Sequence, residues 1–191
     1  MDAIVKLAME KWPDVPDVHG WLRLTARGEW WLDGGRVVNE ALRDFIGRNY
    51  EADEAGHWYF QNGPQRVYVE LETTPWIWRL DGQGRLLAHT GARPQTLQSA
   101  WLVDQEHFLF VTDLGCGLLE DRDAGSVIDR LCDEQGATLD EVRIEAWLAG
   151  SGHAWLAPAA LGLDGPPCAL GPCASHELES RFGFVREPLA P

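Results

Sequence analysis

The segment from Gly56 to Glu72, GHWYFQNGPQRVYVELE, constrains the fold more than any other part of the sequence. Two runs of β-forming residues meet at Asn62-Gly63-Pro64. An Asn-Gly pair in this setting is a strong signal for a tight hairpin turn, because both residues tolerate positive φ angles. Val67, Val69 and Leu71 then alternate with polar residues. This period of two predicts a strand with one buried and one polar face.

Two further hairpins are predicted where turn residues separate short apolar runs. Asp33-Gly34-Gly35 is one such turn and Asp81-Gly82-Gln83-Gly84 is the other. Glycine and aspartate favour the backbone angles that tight turns require. The second turn joins the runs 76–80 and 85–89. These patterns predict a first half that is rich in antiparallel hairpins.

Two to three helices accompany these strands. Residues 2–12 have the spacing of a short helix, and the segment 14–17 ends it. Asn39 is a good N-cap for a helix over residues 40–49, where apolar side chains share one face. Asp121 or Asp123 can cap a third helix, which is predicted to run to about Gln135.

The second half is predicted to contain strands as well. Residues 100–103 and 107–112 are apolar, and the alternation over 142–148 is typical of another strand. Residues 157–173 are rich in Pro, Gly and Ala, which predicts a loop.

These elements predict an α+β fold of mainly antiparallel β-hairpins with two to three helices, because no sustained βαβ alternation is present. The polar segment 91–99 is the best boundary between two small subdomains. Residues 1–95 form a hairpin-rich N-terminal subdomain with one packed helix in this prediction. Residues 96–191 form a C-terminal α+β subdomain.

Charge and composition exclude several classes of function. The net charge of −14 opposes binding to nucleic acids and to anionic membranes. No apolar run approaches the ~20 residues that span a bilayer. The first residues lack the features of a signal peptide, so the four cysteines are expected to be cytosolic thiols or metal ligands. We therefore expect a cytoplasmic protein with no cofactor.

A candidate ligand site is predicted around the aromatic hairpins. Ten tryptophans are many for 191 residues, and binding grooves combine aromatic walls with a few polar groups. The alternative is that these rings fill the sheet core while Arg66 pairs with a carboxylate. The predicted ligand-binding residues are Arg48, Asn49, Trp58, Gln65, Arg66 and Tyr68.

The cysteines offer a candidate metal site and candidate nucleophiles. Cys168, Cys173 and His176 lie close together in the sequence, with His153 as the nearest fourth group. Their irregular spacing departs from the paired motifs of zinc sites, so two loop thiols and a surface histidine are the alternative. Cys116 or Cys173 can also serve as a nucleophile if a histidine lies within reach.

Residues 110–117, FVTDLGCG, resemble the glycine-rich first motif of S-adenosylmethionine-dependent methyltransferases. Asp113 stands at the position of the acidic residue, but Leu119 replaces a third glycine. The 74 residues after Gly117 (191 minus 117) lack the long α/β alternation of that fold. A glycine-rich motif without its strand–turn–helix setting is weak evidence, so the methyltransferase interpretation is disfavoured.

The run from Gly28 to Leu80 also resembles a known family. A Gly-x-Trp hairpin leads into a helix, a Gly-x-Trp-Tyr-Phe strand follows, and a second strand ends at Leu-Glu-Thr-Thr-Pro. This order is similar to an uncharacterised family of small proteobacterial proteins, a domain of unknown function. The resemblance implies a two-subdomain α+β protein without an assigned activity, and it assigns no catalytic residue.

Three classes of function follow from these observations. The first is a non-enzymatic module that binds a small ligand or a protein partner through an aromatic surface between the two halves. The alternative is a cysteine-dependent or metal-assisted enzyme, which requires a thiol and a histidine in one cleft, or bound metal. The third is a structural protein with a large apolar interface.

Overall fold

A computed structural model of the chain describes residues 1–12 and 15–190. Within these residues the chain forms five α-helices and fourteen strands in two mixed sheets. The predicted α+β class is therefore confirmed, although the helices outnumber the two to three expected. Two residues that the sequence predictions include lie outside the described residues. They are Asp14, in the segment predicted to end the first helix, and Pro191, the last residue of the predicted second subdomain.

The chain divides into two compact units, and each contains one of the sheets. The first unit comprises Met1–Pro75, His89–Gly91 and the C-terminal segment from Leu178. The second comprises Trp76–Ala88 and Ala92–Glu177. The predicted hairpin at 76–89 thus contributes its strands to the second unit. The predicted boundary near residue 95 divides the chain into parts that would fold independently, and it stays a prediction.

The first unit is built on a six-stranded sheet. Its strands are β1 (Val18–Leu24), β2 (Trp30–Leu32), β3 (Gly35–Arg36), β4 (Tyr50–Ala52), β5 (Trp58–Asn62) and β6 (Gln65–Leu71). They lie in the order β3-β2-β1-β6-β5-β4, and all neighbours are antiparallel except β1 and β6. The hairpin predicted at Asn62-Gly63-Pro64 is confirmed, because β5 and β6 pair on either side of that turn.

The six-stranded sheet has two chemically different faces. On β6, Val67, Val69 and Leu71 are buried on the inner face, as the alternation predicted. Helix α2 (Glu40–Arg48) packs on the inner face, where the rings of Phe45 and Phe60 meet edge to face at 5.4 Å. The opposite face is called the outer face below.

Helix α2 begins where the sequence predicts. The Asn39 side chain accepts a hydrogen bond from the backbone N–H of Leu42 at 3.0 Å, which satisfies a donor that the first helical turn leaves free. The predicted N-cap is therefore confirmed.

Helix α1 (Ala3–Lys11) follows two residues whose contacts are with β4 and with the end of α2. The amino group of Met1 is 3.6 Å from Oε1 of Glu51 on β4. Trp12, just after the helix, lines a cavity together with Arg66. The helix predicted at 2–12 is confirmed, with bounds one residue shorter at each end.

The second unit is built on an eight-stranded sheet. Its strands are β7 (Trp76–Leu80), β8 (Leu86–Ala88), β9 (Leu97–Val103), β10 (His107–Thr112), β11 (Gly115–Leu119), β12 (Leu131–Cys132), β13 (Trp155–Leu156) and β14 (Cys168–Cys173). They lie in the order β12-β13-β14-β9-β10-β11-β7-β8. Trp78 and Phe110 are fully buried in its core. The remaining helices are α3 (Ala124–Ile128) and α4 (Glu141–Leu148) in this unit and α5 (Leu178–Phe182) in the first.

The glycine-rich motif at 110–117 forms a β-hairpin. Strand β10 pairs antiparallel with β11, and Thr112 lies opposite Gly115 across the turn. A Cβ on Gly117 would stand 2.5 Å from the backbone oxygen of Trp76, so this glycine allows β11 to lie close to β7. The glycines therefore serve strand packing, and no helix follows them in the way a cofactor-binding turn requires.

Two predictions for the second half were wrong in secondary structure. The helix expected to reach Gln135 ends at Ile128, and Cys132 lies in β12 rather than within a helix. Residues 142–148, expected as a strand, lie in α4, because the Asp140 side chain accepts a hydrogen bond from the Arg143 N–H at 2.9 Å and caps a helix there.

The predicted loop over 157–173 was also wrong in part. Its last third is β14, which pairs with β13 on one side and β9 on the other. Pro172 lies within this strand, although proline is usually confined to edge strands because it has no backbone N–H to donate. Tertiary pairing with β9 thus overrides the local composition.

Candidate functional site

A bulge in β1 disturbs its pairing with β6. Val18 and Leu22 are in register with β6, but the three residues between them, 19–21, stand opposite Tyr68 alone. Gly20 has a φ of 75°, a conformation that favours glycine. Bulges re-aim side chains and are frequent beside functional sites. This bulge makes the neighbouring part of the outer face the candidate site.

A groove with two exposed indole rings lies next to the bulge. Its volume is about 390 Å³. Trp21 is 60% exposed and Trp31 is 36% exposed. We call it the tryptophan groove, and its lining residues are Gly20, Trp21, Arg23, Thr25, Trp31, Gly34, Glu70 and Glu72. Aromatic walls with a few charged groups are the usual composition of a binding site.

The charged residues of the tryptophan groove come from neighbouring strands. Arg23 on β1 lies opposite both Trp31 on β2 and Glu70 on β6 in register. Glu72 accepts a hydrogen bond at Oε2 from the backbone N–H of Ala26 at 3.0 Å. Within the described residues, neither Arg23 nor Glu70 makes an ion pair. Both charges are therefore available to a ligand.

A smaller groove continues from the tryptophan groove. It has a volume of about 240 Å³ and shares Arg23, Glu70 and Glu72 with it. Leu71, together with Arg186 and Glu187 of the C-terminal segment, completes its lining. The two grooves together form a trough along the outer face.

A polar aromatic cluster lies beside the trough on the same face. The His19 ring stacks on Tyr68 with centroids 4.5 Å apart. The Tyr68 hydroxyl donates to Oδ2 of Asp53 at 3.4 Å, and Nδ1 of His57 lies 3.1 Å from the same oxygen. Burial opposes ionisation of Asp53, but hydrogen bonds from His57 outweigh it and hold the pKa of Asp53 below its ordinary value.

The Asp53–His57 pair belongs to a turn that occurs three times within the described residues. Asp53, Asp81 and Asp133 each accept hydrogen bonds at Oδ1 from the backbone N–H groups two and four residues later. A glycine with positive φ stands three residues after each aspartate. In the Asp81 turn the side chain four residues later, Arg85, contacts Oδ2 just as His57 does. The turn therefore explains the pair without a catalytic role.

The structure brings together two of the six predicted ligand-binding residues, Arg66 and Tyr68. The hydrogen bond between Arg66 and Tyr68 raises the pKa of Arg66. The guanidinium lies 4.7 Å from the centre of the Tyr59 ring, a favourable cation–π geometry. Arg66 also lines a cavity of about 460 Å³ near the end of α1.

The other four predicted ligand-binding residues, like Arg66 and Tyr68, do not line the trough, and a role in ligand binding stays a prediction for all six. Their positions are as follows: Arg48 pairs with Asp2, Asn49 is fully buried, Trp58 contacts the Tyr50 ring, and Gln65 donates to the Pro16 carbonyl.

The aromatic residues of the first half serve mainly as core. Trp30, Tyr59, Tyr68, Trp76 and Trp78 are all buried, in agreement with the part of the alternative that assigned the rings to the sheet core. The exposed Trp21 was missed. A glycine inside a strand pattern indicates a bulge, and the His19-Gly20-Trp21 run carried that signal.

The cysteine and histidine residues of the candidate metal site are located in the described part of the chain. No group of three or more His, Cys, Asp or Glu that could hold a metal ion occurs there. Cys168 and Cys173 both lie on β14, and His176 follows in a short 3₁₀ turn at Ser175–Glu177. The Cys173 thiol lies near a carboxylate oxygen of Glu177, at 4.0 Å. Metal binding at these residues stays a prediction.

Three of the cysteines are poorly suited to nucleophilic chemistry. All four are free thiols. Burial raises the pKa of Cys116 to about 12 and also raises the pKa values of Cys132 and Cys168. A reactive cysteine needs a lowered pKa, because the thiolate is the nucleophile.

The family comparison agrees with the resemblance found in the sequence. The model of the family DUF2944, described as "Protein of unknown function (DUF2946)", matches residues 1–189. The chain belongs to this family. The prediction of an uncharacterised family is therefore confirmed.

Two solved structures of the DUF1285 family, both from proteobacteria, are similar to this chain. The protein from Silicibacter pomeroyi DSS-3 shares 13% identity with a TM-score of 0.46, over 70% of this chain and 87% of its own. The protein from Shewanella baltica OS155 shares 13% identity with a TM-score of 0.43, over 55% of this chain and 87% of its own. No curated protein matches the chain.

Proposed function

We propose that this protein is a non-enzymatic binding module that holds a small ligand or a protein partner on the outer face of its six-stranded sheet. The observation that carries the proposal is the pair of exposed rings, Trp21 and Trp31, in a groove beside a β-bulge. Exposed tryptophans are costly to leave in water, and they are enriched where proteins bind partners.

The chemistry of the cysteines favours binding over catalysis. The buried Cys116 thiol, with a pKa of about 12, stays protonated at neutral pH. The contact between Asp53 and His57 is explained by the backbone turn to which both residues belong. The candidate nucleophile Cys116 therefore lacks the activated thiolate that a cysteine-dependent enzyme requires.

The proposed setting is the cytoplasm, with neither nucleic acid nor membrane as partner. Four free cysteines and a net charge of −14 support this. In the described part of the chain, no helix is both long and apolar enough to cross a membrane.

Nuclear magnetic resonance of the indole N–H groups tests the proposal directly. Protein labelled with ¹⁵N-tryptophan is titrated with a metabolite library and a peptide library, and the Trp21 and Trp31 signals are assigned with Phe substitutions. We expect ligands that shift these two signals first. Trp12, which is 51% exposed but lies outside the groove, is the matched internal control. The proposal is wrong if ligands of the protein leave both groove signals unchanged.

A further inference from the structure

We propose that the trough on the outer face binds a basic peptide segment of a partner protein. A lysine or arginine side chain of that segment contacts the rings of Trp21 and Trp31 and pairs with Glu70. This inference rests on the proposed function, because it names the chemistry of the partner at the same site.

The charge balance of the trough favours a cation. Three glutamates line it, namely Glu70, Glu72 and Glu187, together with Arg23 and Arg186. Arg186 is already neutralised, since its Nε lies 3.0 Å from Oε2 of Glu179. Three carboxylates therefore face one remaining guanidinium, so the trough attracts positive charge.

The exposed rings favour the same kind of partner. Tryptophan is the best aromatic partner for a lysine or arginine cation. Trp31 lies opposite Arg23 on the neighbouring strand, and Glu70 lies on the other side of Arg23. A side chain that lies along these rings reaches a carboxylate within the same groove. Arg23 is then placed to donate hydrogen bonds to carbonyl groups of the bound peptide.

The shape of the trough favours a peptide over an enclosed small molecule. Small-molecule sites bury most of their ligand's surface, whereas Trp21, Arg23 and Glu72 are exposed. The two connected grooves run from the β2–β3 turn at Gly34 to Glu187, which suits an extended chain. The net charge of −14 also accelerates encounter with a basic partner at low salt.

A peptide-binding assay with charge-matched variants tests this inference. The probe is a fluorescein-labelled peptide in which Lys and Arg alternate with Gly and Ser, and its Kd is measured by anisotropy at low salt. Glu70→Gln and Trp21→Ala are each expected to weaken binding about threefold to fivefold. Glu134→Gln removes the same charge at an exposed position of the second unit, and Trp12→Ala removes an exposed ring outside the trough. Both controls are expected to change Kd by less than about twofold.

Several results would overturn the inference. These are no binding of the basic peptide, equal binding of a peptide with Glu in place of Lys and Arg, or an equal loss with Glu134→Gln. Spermine serves as a small polycation, and binding of spermine as tight as that of the peptide would assign the trough to a polyamine instead. If the peptide fails but another ligand shifts the Trp21 and Trp31 signals, the proposed function stands without this partner. If no ligand of the protein shifts them, both proposals fail.

Discussion

The substitution Asn49→Ala tests whether Asn49 stabilises the fold or binds a ligand, which is the role predicted for it from the sequence. Asn49 is fully buried. Its Oδ1 accepts from the backbone N–H of Asp2 at 2.7 Å, and its Nδ2 donates to the Phe45 carbonyl at 2.9 Å. The side chain thus ties the start of the chain to the end of α2.

The cost of this substitution follows from the two lost hydrogen bonds. Each contributes about 0.5–1.5 kcal/mol net, and a buried carbonyl without a partner adds to the loss. We expect Asn49→Ala to lower the free energy of unfolding by about 2 kcal/mol. For a chain of this size the melting temperature should fall by about 4–8 °C.

Urea unfolding followed by circular dichroism and by tryptophan fluorescence measures this change, provided that the two transitions coincide. Arg48→Ala is the matched control, because it removes an exposed ion pair to Asp2 that is worth about 0–1 kcal/mol. A loss no larger than that of the control would refute the structural reasoning. Unchanged stability with abolished ligand binding would instead assign Asn49 to the ligand.

Three further predictions concern the backbone, the thiols and the dependence on pH. Gly56→Ala should destabilise the protein by at least about 2 kcal/mol, against about 1 kcal/mol for Gly91→Ala. Both glycines have a φ near 85°, but only at Gly56 would a Cβ collide with the Gly183 carbonyl; equal losses in thermal unfolding would contradict this. Cys116 should resist a thiol reagent at pH 8 and react only after unfolding, as mass spectrometry of labelled peptides can show, because burial raises its pKa to about 12. Asp81 has a pKa below its ordinary value of 3.8, mainly because a backbone N–H donates to its carboxylate. The stability advantage of wild type over Asp81→Asn should therefore be full above that value and shrink as the pH falls below it; an advantage that grows on acidification would contradict the assignment.

Elements that depend on near neighbours were predicted well from the sequence. Asn39 caps α2, and Asn62-Gly63 turns the β5–β6 hairpin. In both cases the deciding interaction lies within a few residues, so turn and cap chemistry is enough to predict it.

Segments whose local sequence fits two different structures were predicted poorly. Residues 142–148 alternate like a strand, but Asp140 begins a helix there and only Trp147 is buried in it. The motif at 110–117 fits a cofactor turn by composition, yet it forms a hairpin because β11 finds a partner in β7.

The trough was not predicted from the sequence, and none of the six predicted ligand-binding residues lines it. Arg66 and Tyr68 lie on the face of β6 opposite to Val67, as predicted, since alternation alone fixes the face of a strand. The trough depends on the parallel pairing of β1 with β6 across more than forty residues of sequence, and on the bulge at Gly20. Neither the strand pairing nor the bulge can be predicted in full from residues that are close together in the sequence.

The sequence by itself determined the hairpins, the caps and the polar–apolar alternation, because these follow from backbone preferences and short-range hydrogen bonds. Only the tertiary structure decided which strands became neighbours, and therefore which tryptophans were buried and which were left exposed. Trp30 and Trp31 are adjacent in the chain, yet Trp30 is buried and Trp31 faces the groove. Successive side chains of a strand point to opposite faces, and the packing of the sheet determines which face meets water.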